Sequence, residues 1–494
     1  MTNKKDLNNL IPQEVSCVTR TLEKAGFEAF LVGGCVRDIL LDKKPKDWDI
    51  TTNATPEQII PLFEKTFYEN EYGTVGVVNE ETTDESLKII EITPYRLETK
   101  YSDNRRPDSV TFSDKLEEDL QRRDFTINAI AYNVSKGHLV DPYKGQKDIK
   151  DKTIKAVGVL YDRFNEDALR ILRAIRLVTE LSFTIHSSTQ EAIKKTAHTL
   201  QNIAKERIRD EFVKIIESER PMEGLILAHK LDVLQYIVPE LEEGINQKQN
   251  GSHIYTVWEH NLRSLQHATN REWPLHVKLA ALFHDIGKPK TQRWSKEKNN
   301  YTFYGHDVVG GKMTQKLMER LKFPKKIIIK VSKLVKFHLF FSDIDTITLS
   351  AVRRIVRNVE PENVWDLMKV RACDRIGMGR PIESPYRLRK YKSMIEEAMR
   401  APVSVQMLKI DGITIMNVTH ETPGPKIGFI LHALLEETLN NPDNNNEMFL
   451  VKRAKELAKL PISDLKRLAD KGKQEKDKKE NEELKEIRDR YGVK

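Results

Sequence analysis

Residues 31–50 read LVGGCVRDILLDKKPKDWDI, and the fold class turns on the two ends of this stretch. At one end an apolar strand pattern runs through Gly33-Gly34 into a helix from Cys35. Glycines at such a junction let the backbone approach a ligand where the first helical N–H groups are free to meet phosphate. A tight strand-to-helix turn explains the pair equally well. At the other end Asp47 and Asp49 stand at i and i+2 of an extended segment, so they project to one side while Trp48 projects to the other. Same-side carboxylates repel unless a cation lies between them, and hard oxygen ligands on an open surface suit Mg2+ clamped with substrate phosphates. The plain alternative is a solvated strand end.

Working outward, residues 14–140 alternate short strands with helices. FEAFLVGG (27–34), WDITTN (48–53), GTVGVVN (73–79) and KIIEIT (88–93) read as strands, and a helix opens at Thr55-Pro56 with Gln58 placed for a capping box. This is an α/β head. Glu91 lies inside the apolar strand KIIEIT, on the face of Ile89 and Thr93. Two aspartates and a strand glutamate after a glycine turn are what a two-metal phosphoryl transfer requires. After Asp141-Pro142 the periodicity becomes helical, as in ALRILRAIRL (168–177) with Leu169, Leu172 and Ile175 on one face, and the rest of the chain reads as all-α. Turn-rich segments such as GINQKQNGSH (244–253) and MGRPIESPY (378–386) place soft boundaries near 150, 235 and 385. The expected units are a head at 1–150, a helical neck at 151–235, a third unit at 236–385, a helical tail at 386–470 and a charged segment at 471–494. The Asn-rich stretch from Asn440 to Asn446 reads as a loop, and the charged segment as a solvated helix or disordered chain.

Length and charge narrow the class. A chain of 494 residues exceeds one ordinary core, and 82 Lys and Arg against 74 Asp and Glu leave +8, which favours a polyanionic partner such as nucleic acid. Three dispersed cysteines, Cys17, Cys35 and Cys373, argue against a disulfide framework. With neither a signal core nor a membrane span in the pattern, a cytoplasmic protein is expected.

GGCVRD (33–38), DWDI (47–50), EITPYRLE (91–98), YSDNRRPDSVTF (101–112), RRDFTINAIA (122–131), EDALRILRAIRL (166–177) and ERIRDEF (206–212) occur in this order. Together they resemble the serial motifs of class II tRNA nucleotidyltransferases, the CCA-adding enzymes of the poly(A) polymerase/tRNA nucleotidyltransferase family. The match covers roughly residues 25–215. The resemblance implies a polymerase-beta-like head and a helical neck, with Asp47, Asp49 and Glu91 as catalytic metal ligands and Gly33, Gly34 and Arg37 at the nucleotide. It places Asp124 and Asn128 on the ribose hydroxyls and Arg123 on the triphosphate, although a polar cluster before an apolar helix serves equally as a cap. It makes Tyr101–Phe112 a flexible loop used in adding the terminal A.

Asp167 and Arg170, at i and i+3, are expected on one helix face, where an intrahelical ion pair is the simplest reading. A sharper use follows from base chemistry. A carboxylate accepts from the exocyclic amino group that cytosine and adenine share, and an arginine fork donates to the neighbouring ring acceptor. Uracil and guanine would set a carbonyl against the acid, so the pair selects CTP and ATP. The templating residues of the family match these two positions.

His260, the pair His284-Asp285, His306, His338 and Asp374 follow in the order H, HD, H, H, D, and the context ALFHDIGKP (281–289) resembles the HD superfamily. Individually, such histidines are more often structural or exposed. As a set, the resemblance implies one ion on His260, His284, Asp285 and Asp374 and a second completed by His306 and His338. Imidazoles with carboxylates suit Mn, Fe, Co, Ni or Zn, and an open position would activate water for hydrolysis of phosphate esters, such as terminal or 2′,3′-cyclic phosphates on RNA. LKIDGITIMN (408–417) and TPGPKIGFIL (422–431) resemble the tail of HD-bearing bacterial CCA-adding enzymes and point to tRNA as partner. Poly(A) addition, A-only addition to tRNA, and an HD phosphohydrolase with an inactive head are the competing readings. A purely RNA-binding protein leaves two intact sets of acids unexplained.

Overall fold

In the computed structural model, residues 7–69, 73–98, 110–249, 254–339, 347–399 and 405–493 are described. Most of the Tyr101–Phe112 loop lies outside them. Alternation shapes the head: α1 (Gln13–Lys24), β1 (Ala29–Val32), α2 (Gly34–Leu40), β2 (Trp48–Thr52), α3 (Pro56–Ile59), β3 (Thr66–Glu69), β4 (Thr74–Val78) and β5 (Ile89–Pro94) follow one another. β6 (Arg96–Glu98) and β7 (Val110–Phe112) pair as a separate ribbon, and α4 (Leu116–Gln121), β8 (Ala131–Asn133), β9 (His138–Val140) and α5 (Gly145–Lys150) complete the domain. A seven-stranded sheet runs in the order β3-β4-β5-β2-β1-β8-β9. Its β2–β5 pair is parallel, whereas the other pairs are antiparallel. Trp48, Ile50, Ile90 and Ile92 are buried while Glu91 and Ile89 stay exposed, so the period-two pattern sorts the carboxylates from the core. The capping box forms, with Gln58 Oε1 accepting from Thr55 N at 2.9 Å, but α3 yields after one turn to a 3-10 turn at Ile60–Leu62 that begins around Pro61.

Helices follow. α6 (Leu160–Glu166), α7 (Leu169–Leu181), α8 (Ser187–Thr196), α9 (Lys205–Glu217), α10 (Pro221–Lys230) and α11 (Pro239–Glu242) form the neck, with a two-residue parallel pair of β10 (Thr153–Ile154) and β11 (Thr184–Ile185) at its start. Leu169, Leu172 and Ile175 are buried as expected, and so are Ile171, Ala174, Leu177 and Val178, so α7 is a core helix packed on more than one side. Next come α12 (Val257–Asn270), α13 (Leu275–Phe283), α14 (Lys288–Thr291), the ribbon β12 (Arg293–Ser295) and β13 (Asn300–Thr302), α15 (His306–Arg320) and α16 (Lys325–Phe337). α17 (Leu349–Val359), α18 (Val364–Gly377), α19 (Tyr386–Met399), α20 (Gly412–Thr419), α21 (Pro425–Asn440), α22 (Glu447–Leu457) and α23 (Ile462–Tyr491) end the chain.

The contacts divide the chain into two units. One comprises residues 1–338 with 369–380, and the other residues 339–368 with 381–494. In the second unit Ile410, Ile415, Ile430, Leu434, Leu450, Leu457 and Leu465 make a core of α20–α23. α21 ends at Asn440, before a short 3-10 turn at Pro442–Asn444, and the charged carboxyl-terminal segment is helical. Among the described residues no helix is long and apolar enough to cross a membrane.

Candidate active sites

Parallel pairing of β2 with β5 sets Asp49 directly beside Glu91, and the period-two rule brings Asp47 to the same side. These three acids line one cleft of about 450 Å³ with Gly34, Arg37, Lys43, Lys44 and Lys46 from the head and Arg173, Arg176 and Lys214 from the neck. Burial and the Asp47 carboxylate push Asp49 up to about 7, with Glu91 adding to the effect and Arg123 opposing it. Such a clash is what a divalent cation relieves, and the oxygen-only donor set suits Mg2+. The three acids are spread more loosely than the tightest clusters of potential ligand atoms, which lie elsewhere among the described residues.

Gly33 sits at φ +83° and ψ −137°, a conformation that only glycine adopts freely. A β-carbon there would lie 3.2 Å from Arg123 Nη1 and 3.3 Å from Asp49 Oδ2, so a side chain at the turn would crowd both groups. Gly34 is different: a β-carbon would meet Arg37 Nη2 at 3.6 Å and Asp47 Oδ1 at 3.9 Å, ordinary contact distances. A polar chain then joins head to neck. Arg37 Nη1 donates to Asn128 Oδ1 at 2.8 Å, Asn128 Nδ2 to Asp124 Oδ1 at 3.1 Å, and Arg173 Nε to Asp124 Oδ2 at 2.8 Å. Burial alone would raise the Asp124 carboxyl, but Arg173 and Asn128 hold it well below the usual carboxylate range. Asp124 also accepts from the Phe125 N–H at 2.8 Å, while the 3-10 turn at Thr126–Asn128 has Phe125 as its cap and no side-chain capping bond.

One expectation needs correcting. Asp167 and Arg170 do not share a helix face, because α6 ends at Glu166 and Asp167 is extended at φ −138° and ψ 102°. Its Oδ1 accepts from Leu169 N at 3.0 Å and its Oδ2 from Arg207 Nη2 at 2.8 Å. A carboxylate at a helix break caps the freed N–H groups, and that local bond outcompetes helix continuation. Arg170 pairs instead with Glu166, at 2.7 Å, and donates to the carbonyls of Arg163 and Arg122, each at 3.0 Å. Neither Asp167 nor Arg170 lines the acidic cleft; Arg173 and Arg176, farther along α7, do.

The second cluster is tighter. His260 comes from α12, His306 opens α15, His284 and His338 follow α13 and α16, and Asp374 comes from α18. Nδ1 of His284, His306 and His338 faces the carbonyls of Ala281, Phe303 and Val335 at 2.8, 2.6 and 2.6 Å, which fixes the tautomer and leaves Nε2 as the inward donor atom. His260 Nε2 lies 2.8 Å from His284 Nε2 and 3.1 Å from Asp285 Oδ2, while His306 and His338 Nε2 stand 3.1 and 3.5 Å from Asp285 Oδ1. Asp285 is thereby shared by two groups, His260-His284-Asp285 and Asp285-His306-His338, each with its ligand atoms within 4.8 Å. Asp374 Oδ1 completes the first, 3.4 Å from His260 Nε2. Burial pushes the His284 ring down, but the Asp285 and Asp374 carboxylates outweigh it and raise it to about 10. Buried and converging, this nitrogen and oxygen donor set fits divalent metal, with Asp285 common to both groups.

Several neighbours escaped the motif reading. Arg173 and Arg176, three residues apart on α7, carry a spacing that signals one helical face, and both line the cleft. Lys288, three residues after Asp285, reaches its Oδ2 at 2.5 Å, and Arg371 pairs with Asp374 one turn earlier on α18. Lys43, Lys44 and Lys46 sit in a polar loop that carries no distinguishing pattern.

Residues 29–155 match the family model for the poly A polymerase head domain, residues 182–245 that for the probable RNA and SrmB-binding site of polymerase A, and residues 251–376 that for the HD domain. Among curated relatives, a CCA-adding enzyme of Lactobacillus delbrueckii subsp. bulgaricus is 48% identical over 199 residues, 40% of this chain and 48% of that protein. One from Leuconostoc citreum is 45% identical over 231 residues, 46% of this chain and 56% of that protein. The chain thus spans about half the length of the curated relatives it matches. The fold is similar to that of the Bacillus stearothermophilus CCA-adding enzyme solved in complex with CTP, with a TM-score of 0.59 at 24% identity over 90% of this chain and 96% of that one. It is also similar to the Thermotoga maritima CCA-adding enzyme solved with tRNA, with a TM-score of 0.51 at 18% identity over 91% of this chain and 97% of that one.

Proposed function

We propose that the chain, whose segments match the models for the poly A polymerase head, its RNA-binding region and the HD domain, is a tRNA nucleotidyltransferase that adds CMP, CMP and AMP to tRNA 3′ ends from CTP and ATP without a nucleic-acid template. The observation that carries the reading is the placement of Asp47, Asp49 and Glu91 on one side of the sheet, in a cleft walled by Lys and Arg of head and neck. Mg2+ held by the three acids would activate the RNA hydroxyl and neutralise charge on the phosphates. Arg37, Lys43, Lys44, Lys46 and Arg123 supply positive charge for the triphosphate, and Gly33 keeps the backbone out of its way. The 3′-oxygen bonds to the α-phosphorus, the bond to the bridging oxygen breaks, pyrophosphate leaves and the hydroxyl proton passes to solvent. Base recognition by Asp167 and Arg170 and ribose recognition by Asp124 and Asn128 rest on the motif resemblance; as folded, Arg170 is engaged by Glu166 and two carbonyls, so reading the base with it requires those bonds to be exchanged for bonds to the nucleotide. The deciding experiment incubates the protein with tRNA ending before CCA and each nucleotide in turn, then sequences the product end. Ordered CMP, CMP, AMP supports the reading. AMP alone on any RNA marks a poly(A) polymerase, and AMP only on tRNA already ending in CC marks an A-adding enzyme.

The shared Asp285 favours a second activity at the HD site, hydrolysis of phosphate esters at RNA ends. Water forms the new oxygen–phosphorus bond, one ribose oxygen–phosphorus bond breaks, and the released oxygen takes a proton. Two ions of the Mn, Fe, Co, Ni or Zn class would polarise the phosphate and the water there. Release of phosphate or opening of a 2′,3′-cyclic end, lost in Asp285→Ala but not in Asp49→Ala, is the test.

A further inference from the structure

Between Lys288 and His306, both at the HD cluster, the chain leaves on the ribbon β12–β13 and returns. Each end of this excursion is fastened to the cluster: Lys288 Nζ reaches Asp285 Oδ2 at 2.5 Å, and the Phe303 carbonyl faces His306 Nδ1 at 2.6 Å. Phe303 is buried, with Lys288 Nζ 5.8 Å from its ring centroid. The outer residues behave in the opposite way. Trp294 and Tyr301 are direct cross-strand partners, so they share a face, with ring centroids 5.1 Å apart. They remain 53% and 40% exposed, and Tyr304, two residues before the ligand His306, is 73% exposed. Arg293, Lys296 and Lys298 accompany them against the single acid Glu297, and Lys298 Nζ donates to the Tyr304 hydroxyl at 2.7 Å. Three large aromatic rings kept in solvent among cations contribute little to a core; Trp294 and Tyr301 on their shared face, with Tyr304 in the turn that follows, offer ring faces to a polyanion that itself carries flat rings.

We propose that Trp294, Tyr301 and Tyr304 form a platform on which the last bases of a single-stranded RNA 3′ end stack, so that its terminal phosphate meets the HD cluster. This rests on the phosphohydrolase reading of that cluster and narrows its substrate from RNA ends in general to a single-stranded 3′ end whose last bases stack. Stacking recognises ring faces, so the preference is for RNA length over base identity.

The test compares two cyclic phosphates with the Mn2+-loaded full chain: an RNA trinucleotide ending in a 2′,3′-cyclic phosphate, and ethylene phosphate, which has the same reacting ring without base or ribose. Trp294→Ala should raise KM for the trinucleotide about tenfold with little change in kcat, and the selectivity between the two substrates should fall by the same factor. Trp294→Phe, which keeps a flat ring, should recover most of the loss. An unchanged trinucleotide KM, or equal losses on both substrates, overturns the platform. Should the unsubstituted protein cleave neither substrate, the phosphohydrolase reading falls, and photo-crosslinking of a trinucleotide carrying 4-thiouridine decides the platform alone. Adducts on Trp294, Tyr301 or Tyr304 sustain it, and their absence from residues 293–304 overturns it.

Discussion

Arg207 of α9 grips Asp167 at the break between α6 and α7, with Nη2 2.8 Å from Oδ2 and Nη1 3.4 Å from Oδ1. The fork and the Leu169 N–H together fix the carboxylate in one orientation; under the proposed function its remaining lone-pair site accepts from a base amino group. Arg207→Ala should lower the preference for CTP over UTP roughly tenfold, a loss of about 1.4 kcal/mol of discrimination, with Arg207→Lys in between. Single-nucleotide incorporation kinetics read this directly. Equal kcat/KM losses for both nucleotides would show that the pair only supports the fold.

Asp49 lies beside Asp47 and Glu91, and its carboxyl is pushed up to about 7 from an ordinary 3.8. A carboxyl whose folded value is raised destabilises the fold as it ionises: no penalty below about pH 4, growth between 4 and 7, and the full penalty above 7. Without metal, Asp49→Asn should therefore be more stable than the unsubstituted chain at pH 8, by about 1–2 kcal/mol after discounting for solvent screening, and the gain should shrink at pH 5. Thermal denaturation in chelator at both pH values measures this. Nucleotide addition by the variant should drop at least a thousandfold, and a variant that still extends tRNA would remove Asp49 from the metal site.

Gly33 and Gly34 should respond unequally to the same substitution. Gly33→Ala forces a side chain to φ +83° between Arg123 and Asp49, so a stability loss of about 1–3 kcal/mol and a hundredfold fall in transfer are expected. At Gly34 the contacts are ordinary, and Ala there should change either quantity far less. Indistinguishable melting curves for the two variants would contradict the turn geometry.

The two histidine groups share Asp285, so metal content should fall in steps. Metal analysis after dialysis should give two ions per chain for the unsubstituted protein, about one for His306→Ala and little for Asp285→Asn, whose carboxylate serves both groups. Nucleotide addition should survive both changes. Two ions retained in His306→Ala would refute the second ion position.

The sequence by itself determined the elements and the chemistry they carry. Alternation at KIIEIT predicts Glu91 on the face opposite Ile90 and Ile92, and the DWD triplet puts two acids on one side, because strand periods are local properties; the histidine set was legible only through its resemblance to the HD superfamily. Tertiary structure alone decided partnership. That β5 lies parallel to β2 and brings Glu91 level with Asp49, that Arg173 rather than Arg170 enters the cleft, and that Asp167 at the helix break meets Arg207 all depend on residues distant in sequence. Such pairings are fixed by which arrangement buries the apolar faces and satisfies the buried charges together, and no local period encodes that sum.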